Sequence, residues 1–209
     1  MEIDPAALSA EENYKLMTGM IVPRAIAWIT TLSPNGKVNV APFSAFMLVC
    51  PKPPMVGIGF GRRAGKLKDT PRNIFDRKEF VVNIADEPLL GPLHQSSEEL
   101  PPEESEVERL GLRTAPCRTI ATPRLADAPV SMECRFHSEY EFGDTRALVV
   151  VGEVVHFQIR DGLCANHKID TKALNPICRL GGPNYARLGD IVTMPTVGRT
   201  EQMVIFPKT

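Results

Sequence analysis

The chain has 209 residues, 43% hydrophobic and 23% charged, which is the range of a globular protein. Its 24 Lys and Arg against 25 Asp and Glu leave a net charge of −1, which argues against a protein built to coat nucleic acid or an anionic membrane. The opening Met-Glu-Ile-Asp-Pro has neither a basic nor an apolar leader, and no apolar run reaches the about 18 residues of a membrane helix. Five cysteines, at 50, 117, 134, 164 and 178, form no C-x-x-C pair or metal spacing. An odd, scattered set reads as free thiols, so the expected compartment is the cytoplasm.

The first predicted element is a helix signalled by the capping-box pattern Ser9-Ala10-Glu11-Glu12 and stopped at Gly19. Strands follow over about 21–32, 37–49 and 55–61, the first two joined by a Ser33-Pro34-Asn35-Gly36 turn. Thr70-Pro71 reads as N-cap and first residue of a short helix to about Lys78, and a buried strand runs from Phe80 to Ala85. Residues 86–116 are polar and helical in two pieces, the second capped at Ser105 and ended by Gly111. Over 130–141, Val130, Met132, Cys134, Phe136 and Tyr140 alternate with Ser131, Glu133, Arg135, His137, Glu139 and Glu141, which predicts a strand with one wet face. Gly143-Asp144 turns into a strand over 146–159, where Val149, Val151, Val155, Phe157 and Ile159 share a face. The expectation is a mainly β, six-stranded antiparallel barrel with short peripheral helices, because closure removes exposed edges. One domain over 1–209 is expected, with the helix at 1–19 and the tail at 190–209 as extensions.

Several segments offer chemistry. Residues 61–71 hold four cations, Arg62, Arg63, Lys66 and Lys68, between a strand and a helix start. Glycines, a helix N-terminus and cations together suit an anion such as a phosphate. The same segment also reads as a solvated basic loop. Gly57-Ile58-Gly59-Phe60-Gly61 is not a dinucleotide fingerprint, since Arg62 stands where a third glycine is needed. It reads as a strand whose glycines let a flat ring or another backbone lie close. Thr30, Thr31, Asn39 and Ser44 interrupt apolar strands, and Pro42 after Ala41 brings no N–H to a ladder. The histidines at 94, 137, 156 and 167 have no metal spacing, and His167 near Asp170 is the one retained for nicotinamide or proton handling. No Ser/His/Asp or Cys/His pattern points to hydrolysis, and no catalytic residue is assigned.

Four stretches in order resemble the flavin reductase-like, FMN-binding split-barrel family: residues 24–46, then Asp69-Thr70-Pro71-Arg72-Asn73-Ile74, Phe80-Val81-Val82-Asn83, and Arg179-Leu180-Gly181-Gly182-Pro183-Asn184-Tyr185. The resemblance spans about 20–190. It implies a Greek-key split barrel holding FMN in a site shared by two chains. By the same resemblance, Arg62, Lys66, Lys68 and Thr70 hold phosphate, with Asp69 ordering the loop or capping the helix. Thr30, Thr31 and Asn39 bond the ribityl chain or ring edge, Ala41, Pro42 and Ser44 line the ring, and Tyr185 covers it. The implied function is flavin reduction by NADH or NADPH, with hydride arriving at flavin N5. The alternatives are an FMN electron carrier without a pyridine nucleotide site, serving an electron-accepting protein, and an interaction protein that has lost the cofactor. The sequence carries no pattern for choosing NADH over NADPH.

Overall fold

The computed structural model describes residues 1–101, 104–195 and 197. The helix α1 (Ala10–Met20) opens on the predicted capping box: Ser9 Oγ accepts from the Glu12 N–H at 3.3 Å, and the Ser9 N–H donates to the Glu12 carboxylate at 2.8 Å. No residue of α1 is buried. Seven strands then form one antiparallel sheet: β1 (Ala27–Leu32), β2 (Val38–Phe43), β3 (Phe46–Pro51), β4 (Pro54–Phe60), β5 (Glu79–Ile84), β6 (Val130–Phe142) and β7 (Ala147–Ile159). Their order is β2-β1-β5-β6-β7-β4-β3. The fold is mainly β, an antiparallel split barrel with short helices at its periphery.

The main sheet has one strand more than the six the sequence predicts. The apolar run over 37–49 is two strands, broken at Ser44 and Ala45, and its halves lie at opposite edges of the sheet. The Gly59 N–H donates to the Ala45 carbonyl at 2.7 Å, which continues the β3/β4 pairing one step into this corner. A Cβ on Gly59 would sit 2.8 Å from the Ala45 Cβ, so this approach requires glycine. The glycines of β4 thus make room for the neighbouring chain, Gly59 for Ala45 and Gly57 for the side chains of Met47 and Val49.

Period-2 alternation divides the apolar residues into two layers. Ala27, Ile29, Phe80 and Val82 point into the barrel with Phe43, Phe60, Cys134 and Val150. Trp28 and Val40 point outward to a second core under α3 (Leu90–Gln95) and α4 (Glu106–Arg109), with Leu93, Val107 and Leu125. Each fully buried large side chain contributes about 1.5–3 kcal/mol. Trp28 Nε1 donates to Ser96 Oγ at 2.8 Å, which satisfies its buried N–H.

Two expectations for β6 and β7 need correction. Ser131 and Glu133 are not wet; they are 0% and 1% exposed. Residues 117–126 fold over them, and Glu133 accepts from the N–H groups of Arg118 and Thr119 at 2.8 and 2.7 Å. Burial pushes the Glu133 carboxyl up, but these bonds, the Thr119 hydroxyl and nearby His156 outweigh it and hold it below the usual carboxylate range. Tyr140, expected on the apolar side, is exposed, because β6 runs past the barrel and slips register between Phe136 and Ser138. In β7 the core face is Leu148, Val150 and Val154, not the face of Val149 and Phe157.

Two outcomes are expected. A Cβ on Gly152 would lie 2.4 Å from Cζ of the fully buried Phe80, so Gly152→Ala destabilises by about 1–3 kcal/mol in urea unfolding. An unchanged midpoint would show that Phe80 moves aside freely. Burial pushes the Cys134 thiol far up, whereas Cys164 is exposed. A thiol reagent followed by mass spectrometry therefore labels Cys164 first and Cys134 only on unfolding; early Cys134 labelling would place it on the wrong face of β6.

Candidate functional site

The site is built around the corner between β2 and β3. Thr30 and Val40 face each other across the β1/β2 ladder, and the Val40 N–H turns outward to the Glu106 carboxylate at 3.1 Å. Pairs alternate in an antiparallel ladder, so Pro42, two residues on, also turns its nitrogen outward. It forgoes no ladder bond, which is how a proline sits in this edge strand. Ala41, Pro42 and Ser44 are all half-exposed along the corner.

Below them lies a connected polar group. Asn39 Oδ1 accepts from Thr31 Oγ1 at 3.2 Å and from Thr70 Oγ1 at 3.1 Å. Thr31 Oγ1 accepts from Asn73 Nδ2 at 3.0 Å, and Asn39 Nδ2 donates to the Glu106 carboxylate at 2.8 Å. A cavity of about 280 Å³ opens beside this group, lined among others by Asn39, Asp69, Arg72, Asn73, Leu100 and Glu106. The network joins three candidates from the sequence, Thr31, Asn39 and Thr70. It adds Asn73 and Glu106, which the sequence reading missed. Asn73 lay within a recognised stretch, but Glu106 had no signal beyond its place in a helix cap.

The basic loop leads into α2 (Asp69–Arg77). Arg63 and Lys66 exchange both backbone bonds across a two-residue turn, with Ala64 and Gly65 at positive φ. The helix begins earlier than predicted. Lys68, not Thr70, occupies the N-cap, and it makes no side-chain cap bond. The first turn therefore presents backbone N–H groups at the positive end of the helix. Thr70 is buried with its hydroxyl committed to Asn39, so its backbone is what it offers an anion. Asp69 pairs with Arg72 in the first turn.

The four cations divide. Arg62 is turned away: its side chain is 12% exposed, Nε donates to the Arg146 carbonyl at 2.8 Å, and the guanidinium pairs with Glu141 on β6. Arg63 pairs with Glu99. Among the described residues, neither Lys66 nor Lys68 is ion-paired. The Lys68 ammonium stands 5.9 Å over the Phe43 ring, where partial burial and then Arg63 lower its pKa.

Three sequence candidates lie elsewhere. Thr30 is fully buried on the outer face of β1 and donates to the Pro123 carbonyl at 2.7 Å. Neighbours on a strand face opposite ways, so Thr31 reaches the polar group and Thr30 does not. Tyr185 packs against the outer core, its hydroxyl 3.0 Å from His94 Nδ1 and its ring 4.5 Å under the Arg179 guanidinium. His167 lies in an exposed two-residue turn at positive φ. Another residue missed from sequence is Arg24. Its Nε donates to Ser44 Oγ at 3.3 Å, Nη1 to the carbonyls of Thr18 and Ile21, and Nη2 to the Leu180 carbonyl at 2.9 Å. It ties the corner to the end of α1 and to the Gly181-Gly182 loop.

Residues 18–171 match the model of the flavin reductase-like domain. The chain belongs to the flavin reductase-like family. It is 39% identical to an uncharacterised protein of Halalkalibacterium halodurans, over 97% of this chain and 100% of that one. Among solved structures it resembles nitrilotriacetate monooxygenase component B of Bacillus cereus, with a TM-score of 0.90, 35% identity and coverage of 93% and 98% of the two chains. It also resembles the 2-nitrobenzoate 2-nitroreductase NbaA of Pseudomonas fluorescens, with a TM-score of 0.86, 33% identity and coverage of 94% and 96%. No helix among the described residues is long and apolar enough to cross a membrane.

The placement of Arg62 makes it a tie between the loop and the β6/β7 hairpin. Arg62→Ala should lower the melting temperature of the apo-protein and leave the ratio of FMN to riboflavin affinity unchanged. A selective loss of FMN binding would return Arg62 to the phosphate-binding set.

Proposed function

We propose that this protein is an FMN-binding oxidoreductase that takes hydride from NADH or NADPH. The observation that carries the reading is the uncapped first turn of α2 with Lys66 and Lys68 at its mouth, neither ion-paired among the described residues. Backbone donors and cations without an ion-pair partner among the described residues together form the donor set a phosphate monoester needs. That set fits the FMN phosphate, and the half-exposed Ala41, Pro42 and Ser44 offer a flat backbone surface for a ring. Bound flavin supplies the hydride-accepting chemistry, and the protein supplies binding and orientation. The residues assigned are Lys66, Lys68 and the backbone of Asp69 and Thr70 for phosphate, Asn39 for the ribityl chain, and Ala41, Pro42 and Ser44 for the ring. Thr31 acts through Asn39. The two similar proteins named for their activities, a monooxygenase component and a nitroreductase, are both redox proteins, in keeping with this class.

The active unit in this reading is a homodimer in the cytoplasm. Met17, Met20, Met47 and Leu48 leave large apolar side chains at the surface of α1 and β3, a covering that a second copy would supply. Reduced flavin then serves a small acceptor or an electron-accepting partner protein.

Two measurements test the reading. Lys68→Ala should weaken FMN by roughly 10- to 100-fold and riboflavin far less, since one charge-assisted bond contributes about 1.5–3 kcal/mol. Equal weakening of both ligands would remove phosphate from the site. Anaerobic titration of the FMN-loaded protein with NADH and with NADPH should bleach the flavin's visible absorption. Saturable FMN binding with no bleaching by either nucleotide would instead establish the electron carrier.

A further inference from the structure

Glu106 is 8% exposed, and its carboxylate reaches in from a four-residue helix outside the barrel. Its position is held from both sides. Ser105 Oγ accepts from the Glu108 N–H at 3.3 Å as the cap of α4 and donates to the Val38 carbonyl on the open edge of β2. Glu106 Oε2 accepts from the Val40 N–H on the same edge and from Asn39 Nδ2.

An ionised carboxylate only accepts. Facing it, the Asn39 amide must present Nδ2, because the flipped amide would set oxygen against oxygen. Oδ1 is thereby turned to the hydroxyls of Thr31 and Thr70. Thr31 has its proton free for this bond, since its oxygen already accepts from Asn73. Every donor in the network therefore points toward Glu106. Thr70 is the second residue of α2, so the chain of bonds ends on the turn whose N–H groups face the basic loop.

We propose that Glu106 is a positioning residue: by fixing the Asn39 amide it holds the first turn of α2 in the orientation that receives the flavin phosphate. This rests on the phosphate reading of the α2 N-terminus given above. A glutamine at 106 preserves shape but can present either an N–H or a carbonyl to Asn39, so the polarity of the network is lost while its packing remains.

The test measures FMN and riboflavin affinity by flavin fluorescence quenching on the apo-protein, with its melting temperature, for four variants. Glu106→Gln is expected to weaken FMN roughly tenfold more than it weakens riboflavin, which shares the ribityl chain that Asn39 serves but has no phosphate. Asn39→Asp sets two carboxylates together and weakens FMN at least as much. The double variant Glu106→Gln with Asn39→Asp reverses donor and acceptor across the pair: the new amide donates to the new carboxylate, which still accepts from both threonines. It should bind FMN more tightly than either single variant. A merely structural role would lower the melting temperature of Glu106→Gln without changing the ratio of the two affinities, and without recovery in the double variant. That result overturns the proposal. Lys68→Ala is the reference: if it separates FMN from riboflavin and Glu106→Gln does not, Glu106 alone is refuted. If neither does, the phosphate reading falls and this proposal falls with it.

Discussion

A single extended run, residues 38–51, supplies both edges of the sheet. The bend at Ser44 and Ala45 lets β2 pair with β1 and β3 pair with β4, so one continuous stretch of chain joins the two edges. At this corner Pro42 still sits opposite Trp28, and the chain leaves regular pairing only at Ser44 and Ala45. The proposed ring surface is thus a by-product of closure: the chain has to leave the ladder somewhere, and it leaves it beside the N-terminus of α2.

An edge strand needs protection from further pairing. On β2 the outward N–H of Val40 is taken by Glu106, the outward carbonyl of Val38 by Ser105, and Pro42 has no N–H to offer. Side chains of a short helix substitute for a neighbouring strand. The same carboxylate orders Asn39, so protection of the edge and preparation of the site are one arrangement. It is tolerable in a buried setting because each side-chain polar group there finds a partner among the described residues.

The legible parts of the sequence were those whose signal is local. The capping box of α1, the buried strand β5 and the buried Cys134 depend on short-range pattern, and they stand as expected. Long-range placement was not legible. Ser131 and Glu133 alternate as a wet face should, and only the roof of residues 117–126 buries them. Arg62 and Lys68 are equivalent as letters in a basic loop, but Glu141, 79 positions away, claims the first. Thr30 and Thr31 have the same side chain and opposite fates, which the strand's pleat decides once its inward face is known. Tyr185 belongs to the outer core for a reason no local pattern carries, its fit between His94 and Arg179.

The helix α1 lies wholly at the surface of the chain, and eleven residues are too few for a helix to persist alone in water. Its order is borrowed from the Ser9 cap and from the Arg24 guanidinium, which grips the carbonyls of Thr18 and Ile21. Opening this segment gives up those ties and little apolar contact, so it is a separate unit of low local stability. Its amide protons exchange with solvent long before those of β1 or β5. Because Arg24 also holds Ser44, each opening of α1 reaches the chain at that corner.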